Sequence, residues 1–343
     1  MTQPFVSIIV PVRNEERYIE RCLFSIALQD YPRSRFEIIV VDGESSDMTR
    51  EIVNRFAAEC DIDLHLFANL QRKTAAGLNV GLRQARGEVI VRIDGHACMA
   101  PDFLRRSVGA LAESDADCVG GVIESEGEGV VGGAIALAMS SPFGVGGAAF
   151  RTGGAGEVDT VAFGAYRRDV FDRVGEFAED IDRGEDDEFN YRLRDDGGRI
   201  LLVPGIRSSY TVRSGLGALA RQYFAYGRAK PEVLRRHPAQ MQLRQLAPAA
   251  FVVSIGSALL LALCGTPRAL KAAGGAYSLA AAIASLALAR RGGWRFLVPL
   301  PVAFACLHVG YGLGFLAGLL GLAGRICVRP ARSVAREDTE APN

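Results

Sequence analysis

VIVRIDGHACMAPDFL, residues 89–104, begins as a β-branched run and then turns polar at Asp94-Gly95-His96. Val and Ile favour a buried, pleated strand. The run therefore delivers a carboxylate and an imidazole, two metal-capable groups, to a strand end. Upstream, the same arrangement repeats. FVSIIVPV (5–12) precedes NEERYIERCLFSIALQ (14–29), where Ile19, Leu23 and Ile26 fall at helical spacing and Asn14 is an expected N-cap. FEIIVVDG (36–43) precedes MTREIVNRFAAE (48–59), with Asp47 as its expected cap, and DLHLFA (63–68) precedes KTAAGLNVGLRQA (73–85), stopped by Gly87. Strand–helix alternation predicts an α/β fold with a mostly parallel sheet. In such sheets ligands gather at the carboxyl ends of the strands, where Asp42 and Asp94 stand.

Asp94 and His96 are two residues apart, so on a continuing strand they would share a face and could hold one ion. A carboxylate with an imidazole suits Mn²⁺, while Mg²⁺ would lean on the carboxylate and substrate phosphates. The plainer reading is a strand end and a turn. Asp42-Gly43 is a common turn pair, but its carboxylate could accept from a base N–H and Gly43 admits a ligand close to the backbone. Pro11, Asn14 and Glu15 lie beside the same sheet edge. In GEDDEFNYRL (184–193), Glu185, Asp186, Asp187 and Glu188 open a helix. Acids in a first turn complement the helix dipole. Four exceed that need, and one could serve as a general base.

The 39 basic and 39 acidic residues cancel, so no nucleic-acid partner is expected. Their distribution is uneven. No Asp, Glu, Lys or Arg occurs over 246–264, 272–289 or 296–324. These are candidate membrane helices, two to four in number over 246–324. Arg235, Arg236 and Arg244 precede them, which puts the N-terminal region on the cytoplasmic face. A third crossing would strand Arg325, Arg329, Arg332 and Arg336 on the other side. The last apolar stretch fits a tilted span or a re-entrant hairpin equally. MTQPFVSIIVPVRNEE lacks a basic leader and is not expected to be a signal peptide. The seven cysteines form no metal-binding pair and are expected to be reduced.

Between these regions, 120–156 is rich in Gly and Ala, either a linker with one short helix or a wall beside the active site. A strand pair is expected around RILLVPGIRSSYTV (199–212). RQYFAYGRAK (221–230) offers Gln222, Tyr226 and Arg228 as interfacial anchors or as donors to a diphosphate. His308 and Tyr311 read as packing residues.

Taken in order, SIIVPVRNEE, VVDGESSD, VRIDGH, FGAYRRDVFDRVG and GEDDEFNYRL resemble the family 2 glycosyltransferases over about residues 4–235. Within them the chain is similar to the membrane-bound glucosyltransferases of succinoglycan-type exopolysaccharides. The resemblance implies a GT-A fold over 1–235, with a nucleotide-binding half to about 118 and an acceptor half over 119–235. Membrane helices over 246–324 and a polar tail over 325–343 complete it. It further implies that Asp42 binds uracil, that Pro11, Asn14, Glu15 and Gly43 lie near the nucleoside, and that Asp94 and His96 hold a divalent metal (Mn or Mg). Asp186, with Asp187 as alternative, would be the general base. Donor and acceptor would be UDP-glucose and a lipid-linked glycan, at the cytoplasmic face of a bacterial-type inner membrane, with inversion. A third-position His departs from the common DxD. The absence of Arg-Trp after Gln222 argues against a processive synthase.

Overall fold

The computed structural model describes residues 3–327; Arg329, Arg332, Arg336 and most of the tail expected over 325–343 lie outside them. Nine strands form one sheet: β1 (Val6–Val12), β2 (Phe36–Asp42), β3 (Leu64–Ala68), β4 (Val89–Arg92), β5 (Ala97–Met99), β6 (Cys118–Glu126), β7 (Gly156–Glu157), β8 (Ala165–Arg167) and β9 (Ile200–Thr211). Their order is β3-β2-β1-β4-β8-β6-β9-β5, with β7 on β9. β1 to β4 run parallel, β8 inserts antiparallel between β4 and β6, and β6 and β9 are parallel. The helices are α1 (Ile19–Ala27), α2 (Thr49–Glu59), α3 (Thr74–Gln84), α4 (Phe103–Glu113), α5 (Gly129–Met139), α6 (Pro142–Val145), α7 (Ala149–Thr152), α8 (Asp169–Val174), α9 (Glu185–Asp195), α10 (Leu216–Arg236), α11 (Leu243–Leu263), α12 (Arg268–Gly292) and α13 (Pro299–Cys327).

The period-2 rule of a strand explains how both sheet faces are filled. Ile8, Val10, Ile38 and Val40 point to one core with α1, α2 and α4, whereas Ile9, Ile39 and Val41 point to another with α3, α8 and α9. A parallel sheet buried on both faces needs such continuous apolar strands.

The expected strand pair over 199–212 is instead one 12-residue strand, β9. It stays single because β6 follows it through a register shift between Gly120 and Val122. A Cβ on Gly121 would collide with the Ile206 carbonyl, so the bulge needs glycine there. Two expected caps also differ. α1 begins at Ile19, after Tyr18, and Asn14 instead adopts a left-handed φ of 56° and accepts from Ser46 N–H at 2.9 Å. α2 has Met48 at its N-cap, although Asp47 still accepts from Thr49 N–H at 3.1 Å.

Three helices are long and apolar enough to cross a membrane: Leu243–Leu263, Arg268–Gly292 and Pro299–Leu322. Most of the last apolar stretch lies in one helix, Pro299–Cys327, and not in a re-entrant hairpin. Leu300, Ala303, Phe304 and Leu307 of α13 belong to the same core as β1, α1 and α4. A small-residue stripe lets α13 meet α10 backbone to backbone. A Cβ on Gly314 would collide with the Phe224 carbonyl, and one on Gly318 with that of Arg228. Gly→Ala inside a helix ordinarily stabilises by up to about 1 kcal/mol. Gly321, with open space around its Cβ position, is a matched control. We expect Gly321→Ala to hold or raise Tm and Gly314→Ala to lower it, measured by thermal unfolding of the full chain in detergent.

Candidate active site

A cavity of about 880 Å³ opens at the carboxyl ends of β1, β2 and β4. One side is lined by Pro11, Glu15, Gly43 and Lys73. Its middle holds Asp94, His96 and Asp186, and its far side is closed by Phe251, Tyr277, Leu307 and Tyr311 of the apolar helices. The Gly-rich segment supplies a wall through Phe143, Val145, Phe150 and Arg151. Left-handed glycines at 146, 147, 153 and 154 turn the chain around α6 and α7 to build that wall.

β4 ends at Arg92, so Asp94-Gly95-His96 forms a turn and the shared-face argument from a strand does not apply. The two side chains reach the cavity with separate partners. Asp94 takes an ion pair from Arg92 at 3.0 Å. Burial opposes its charge, but Arg92 and then His96 hold its carboxyl below the usual range. His96 places Nδ1 2.8 Å from Glu15 Oε1 and its ring 4.9 Å from that of Tyr210. Burial disfavours the imidazolium, yet the Glu15 hydrogen bond, Tyr210 and Asp94 raise its pKa to about 9. With Nδ1–H donated to Glu15, Nε2 is the atom left for a ligand, the carboxylate–histidine arrangement of many metal sites. Asp94 and His96 thus fit a divalent ion, with binding displacing the imidazolium proton. A three-ligand cluster among the described residues, Glu37, Asp63 and His65, lies elsewhere, and Arg86 already pairs with both of its acids.

The acidic run at the start of α9 is sorted by cations. Glu185 faces Arg92 at 3.3 Å, Asp187 faces Lys230 at 2.5 Å, and Glu188 faces Arg192 at 2.9 Å. Asp186 forms no ion pair among the described residues. Its Oδ1 accepts only the Asp187 N–H, at 2.9 Å. Burial, then the Asp187 and Glu185 charges, raise its pKa to about 7. A carboxylate poised there can take a proton near neutrality. Lys230, a buried cation, is held charged by Asp187 against burial and also reaches the Tyr191 hydroxyl at 3.4 Å.

Other expected residues sit behind the lining. Asp42 is 2% exposed and its oxygens accept from Ser45 N–H at 3.1 and 3.3 Å, so its carboxylate shapes the turn that presents Gly43. Asn14 braces the same turn through Ser46. Gln222 donates to the hydroxyls of Tyr210 (3.1 Å) and Tyr226 (2.9 Å), and Tyr226 is the one that reaches the cavity. Arg228 lies on the opposite face of α10, in a groove against α13.

Residues 7–175 match the glycosyl transferase family 2 model. The succinoglycan biosynthesis protein ExoA of Rhizobium meliloti (strain 1021) is 30% identical over 322 residues, covering 93% of this chain and 96% of its own length. The chain is a family 2 glycosyltransferase. A Methanococcus voltae protein, named as a glucuronosyltransferase acting on dolichyl N-acetyl-glucosaminyl phosphate, is 28% identical over 92% of this chain and 97% of its own. In fold, the transferase is similar to the mannosyltransferase PcManGT of Pyrobaculum calidifontis, solved with GDP-Man and Mn²⁺. The TM-score is 0.58 with 24% identity, over 91% of this chain and 88% of that one. The fold is therefore GT-A-like, and the relatives include exopolysaccharide and lipid-linked glycan transferases.

Two site residues are not legible in the sequence: Arg92 hides inside a strand run and Arg151 inside a glycine-rich segment. Lys230, expected with its basic–aromatic neighbours as an interfacial anchor or a donor to a diphosphate, pairs with Asp187 instead. Arg151 lines the cavity, lies 5.4 Å from the Tyr210 ring, and makes one long hydrogen bond, 3.5 Å to Ser125.

The two aspartates separate experimentally. Folding raises the Asp186 pKa from 3.8 to about 7, so the folded state binds more protons between those values and loses stability as pH rises through them. Asp186→Asn is expected to cut kcat about 10²–10⁴-fold and to raise Tm more at pH 8 than at pH 5. Asp187→Asn leaves Lys230 buried without its partner, and is expected to lower Tm at both pH values, by the equivalent of about 3–5 kcal/mol. Calorimetry at the two pH values, beside turnover, checks both.

Proposed function

We propose that this enzyme is an inverting hexosyltransferase that moves glucose from UDP-glucose to a polyprenyl-diphosphate-linked glycan in exopolysaccharide synthesis. The observation that carries this reading is the continuity of the cavity. One cavity is lined by Pro11, Glu15, Gly43 and Asp94 at the strand ends, by Phe251, Tyr277 and Leu307 of α11, α12 and α13, and by Asp186. A nucleotide sugar suits the first of these linings, and a sugar on a lipid suits the second. The names of the ExoA and Methanococcus voltae relatives support an exopolysaccharide setting and a lipid-carried acceptor.

In this reading Pro11, Glu15 and Gly43 face the nucleoside, with Asn14 and Asp42 shaping the turns that hold them. Asp94 and His96 Nε2 would hold Mn²⁺ or Mg²⁺, whose charge would offset that of the departing diphosphate. Arg151, half-buried and without a carboxylate partner among the described residues, is one cation for that diphosphate, beside Arg183 and Arg213, which line the same cavity without a salt bridge among the described residues. Asp186 takes the proton of the acceptor hydroxyl. The hydroxyl oxygen bonds to the anomeric carbon as the carbon–diphosphate bond breaks on the opposite face, its electron pair leaving with the diphosphate. Tyr226, fixed by Gln222, lines the acceptor side. The catalytic region faces the cytoplasm of a bacterial-type inner membrane, where the arginines before α11 would lie by the positive-inside rule.

Membranes carrying the full chain and a lipid-linked acceptor, given radiolabelled UDP-glucose, should put label into organic-extractable lipid. The label should vanish with EDTA or Asp186→Asn and reappear when Mn²⁺ is restored to the wild type. Label from another nucleotide sugar alone would reassign the donor, and none from any would overturn the transfer reading.

A further inference from the structure

α13 is apolar and long, but its neighbours do not suit the middle of a bilayer. Gly310, at the centre of Pro299–Leu322, has the Ala220 carbonyl beside its Cβ position, Gly314 has that of Phe224, and Gly318 that of Arg228. Equal steps of four residues mean that α10 runs alongside α13 in the same direction. A membrane-crossing α13 would therefore carry Arg221 to the bilayer midplane and Arg228 to about 12 Å from it, at 1.5 Å per residue. Both lie inside a hydrocarbon core about 30 Å thick. Arg221 and Arg228 are exposed, and they line a groove with Val302, Val309 and Leu313 rather than pairing with acids there. The opposite face of α10 bears Tyr226 and Lys230, so the catalytic cavity would be submerged with it. Charged groups at that depth are among the costliest placements a membrane protein can make.

The alternative fits the placement of Arg221, Arg228 and the cavity. α13 is amphipathic with respect to the protein. One face, with Leu300, Phe304 and Leu307, is core, and the other, with Val302 (49% exposed), Val309 (38%), Leu313 (47%) and Leu320 (75%), is an apolar stripe along its length. Exposed arginines flank the stripe, as in helices that lie in the headgroup region. α11 and α12 are different: only 11% and 17% of their apolar windows are buried within the protein, against 44% for α13. We propose that α13 lies in the plane of the membrane surface, its apolar stripe against the lipid and Arg221 and Arg228 toward phosphate headgroups. Only the α11–α12 hairpin enters the bilayer, so the residues after α13 stay on the catalytic side. This also eases the charge conflict, because Arg235, Arg236, Arg290, Arg291, Arg295 and Arg325 then share one side, with Arg268 and Lys271 at the far turn of the hairpin.

Two measurements on the full chain test it. Nitroxide labels placed one at a time at Val302, Val309, Leu313 and Leu320, in phosphatidylglycerol–phosphatidylcholine vesicles, should report similar shallow depths by their accessibility to oxygen and to a soluble nickel chelate. Depth that rises toward Gly310 and falls on either side would overturn the proposal. In a chain with its native cysteines replaced, Asp61→Cys and Ser333→Cys should react with an impermeant maleimide from the same side of sealed vesicles. Reaction from opposite sides would establish a third crossing and overturn it. Should the cysteine-free chain not fold, a C-terminal reporter active on only one side of the membrane gives the same two outcomes.

Discussion

Arg92 is the fixed point of the catalytic centre. It is 4% exposed, at the last position of β4, and its guanidinium touches Asp94 at 3.0 Å and Glu185 at 3.3 Å. Without a cation between them, those carboxylates would repel across a buried gap, where effective dielectric is low and charge interactions are strong. One rigid fork thus sets the distance between the turn after β4 and the start of α9. The proposed chemistry depends on that spacing, since Asp94 and Asp186, which follows Glu185 on the same helix, line one cavity.

The same logic assigns roles among neighbours that look alike. Glu185, Asp187 and Glu188 each have a cation, so their charges are neutralised where they stand. Asp186 has none among the described residues, and its neighbours raise its proton affinity. Two adjacent aspartates therefore differ because Lys230, forty-three positions later in the chain, comes back to one and not the other. Keeping a base buried without a partner costs stability, a common feature of active sites.

That sorting also marks the limit of what was legible in the sequence. The strand runs, the parallel sheet and the acidic helix follow from periodicity, and the grouping of Asp94, His96 and Asp186 from the family resemblance. The Asp94–His96 geometry did not, because it was argued from a strand that stops at Arg92. Lys230 was legible only as charge, since its partner is fixed by tertiary contact. Helical phase separates Arg228 from the cavity, which leaves its reading as an interfacial anchor rather than as a diphosphate donor. Gln222, Tyr226 and Lys230 recur every four residues and share a face, while Arg221, Phe224 and Arg228 share the other. Asn14 and Asp42 were sound as turn formers, and their side chains went to the turns.

α10 connects these scales. One of its faces shapes the acceptor side of the cavity and the other rests on α13 through glycines that admit no side chain. Gln245, near the start of α11, donates to the Tyr191 hydroxyl at 2.8 Å, and Tyr191 lies beside Lys230 on the helix that bears Asp186. The helix that bears Asp186 is thus tied to the first apolar helix by one hydrogen bond. A transferase whose acceptor is anchored in lipid must hold its base at a set height above the bilayer. Under the proposed function, the connected α9–α10–α11 junction would supply that height, whereas a flexible linker between a soluble domain and its anchor would leave the acceptor hydroxyl to find Asp186 by diffusion.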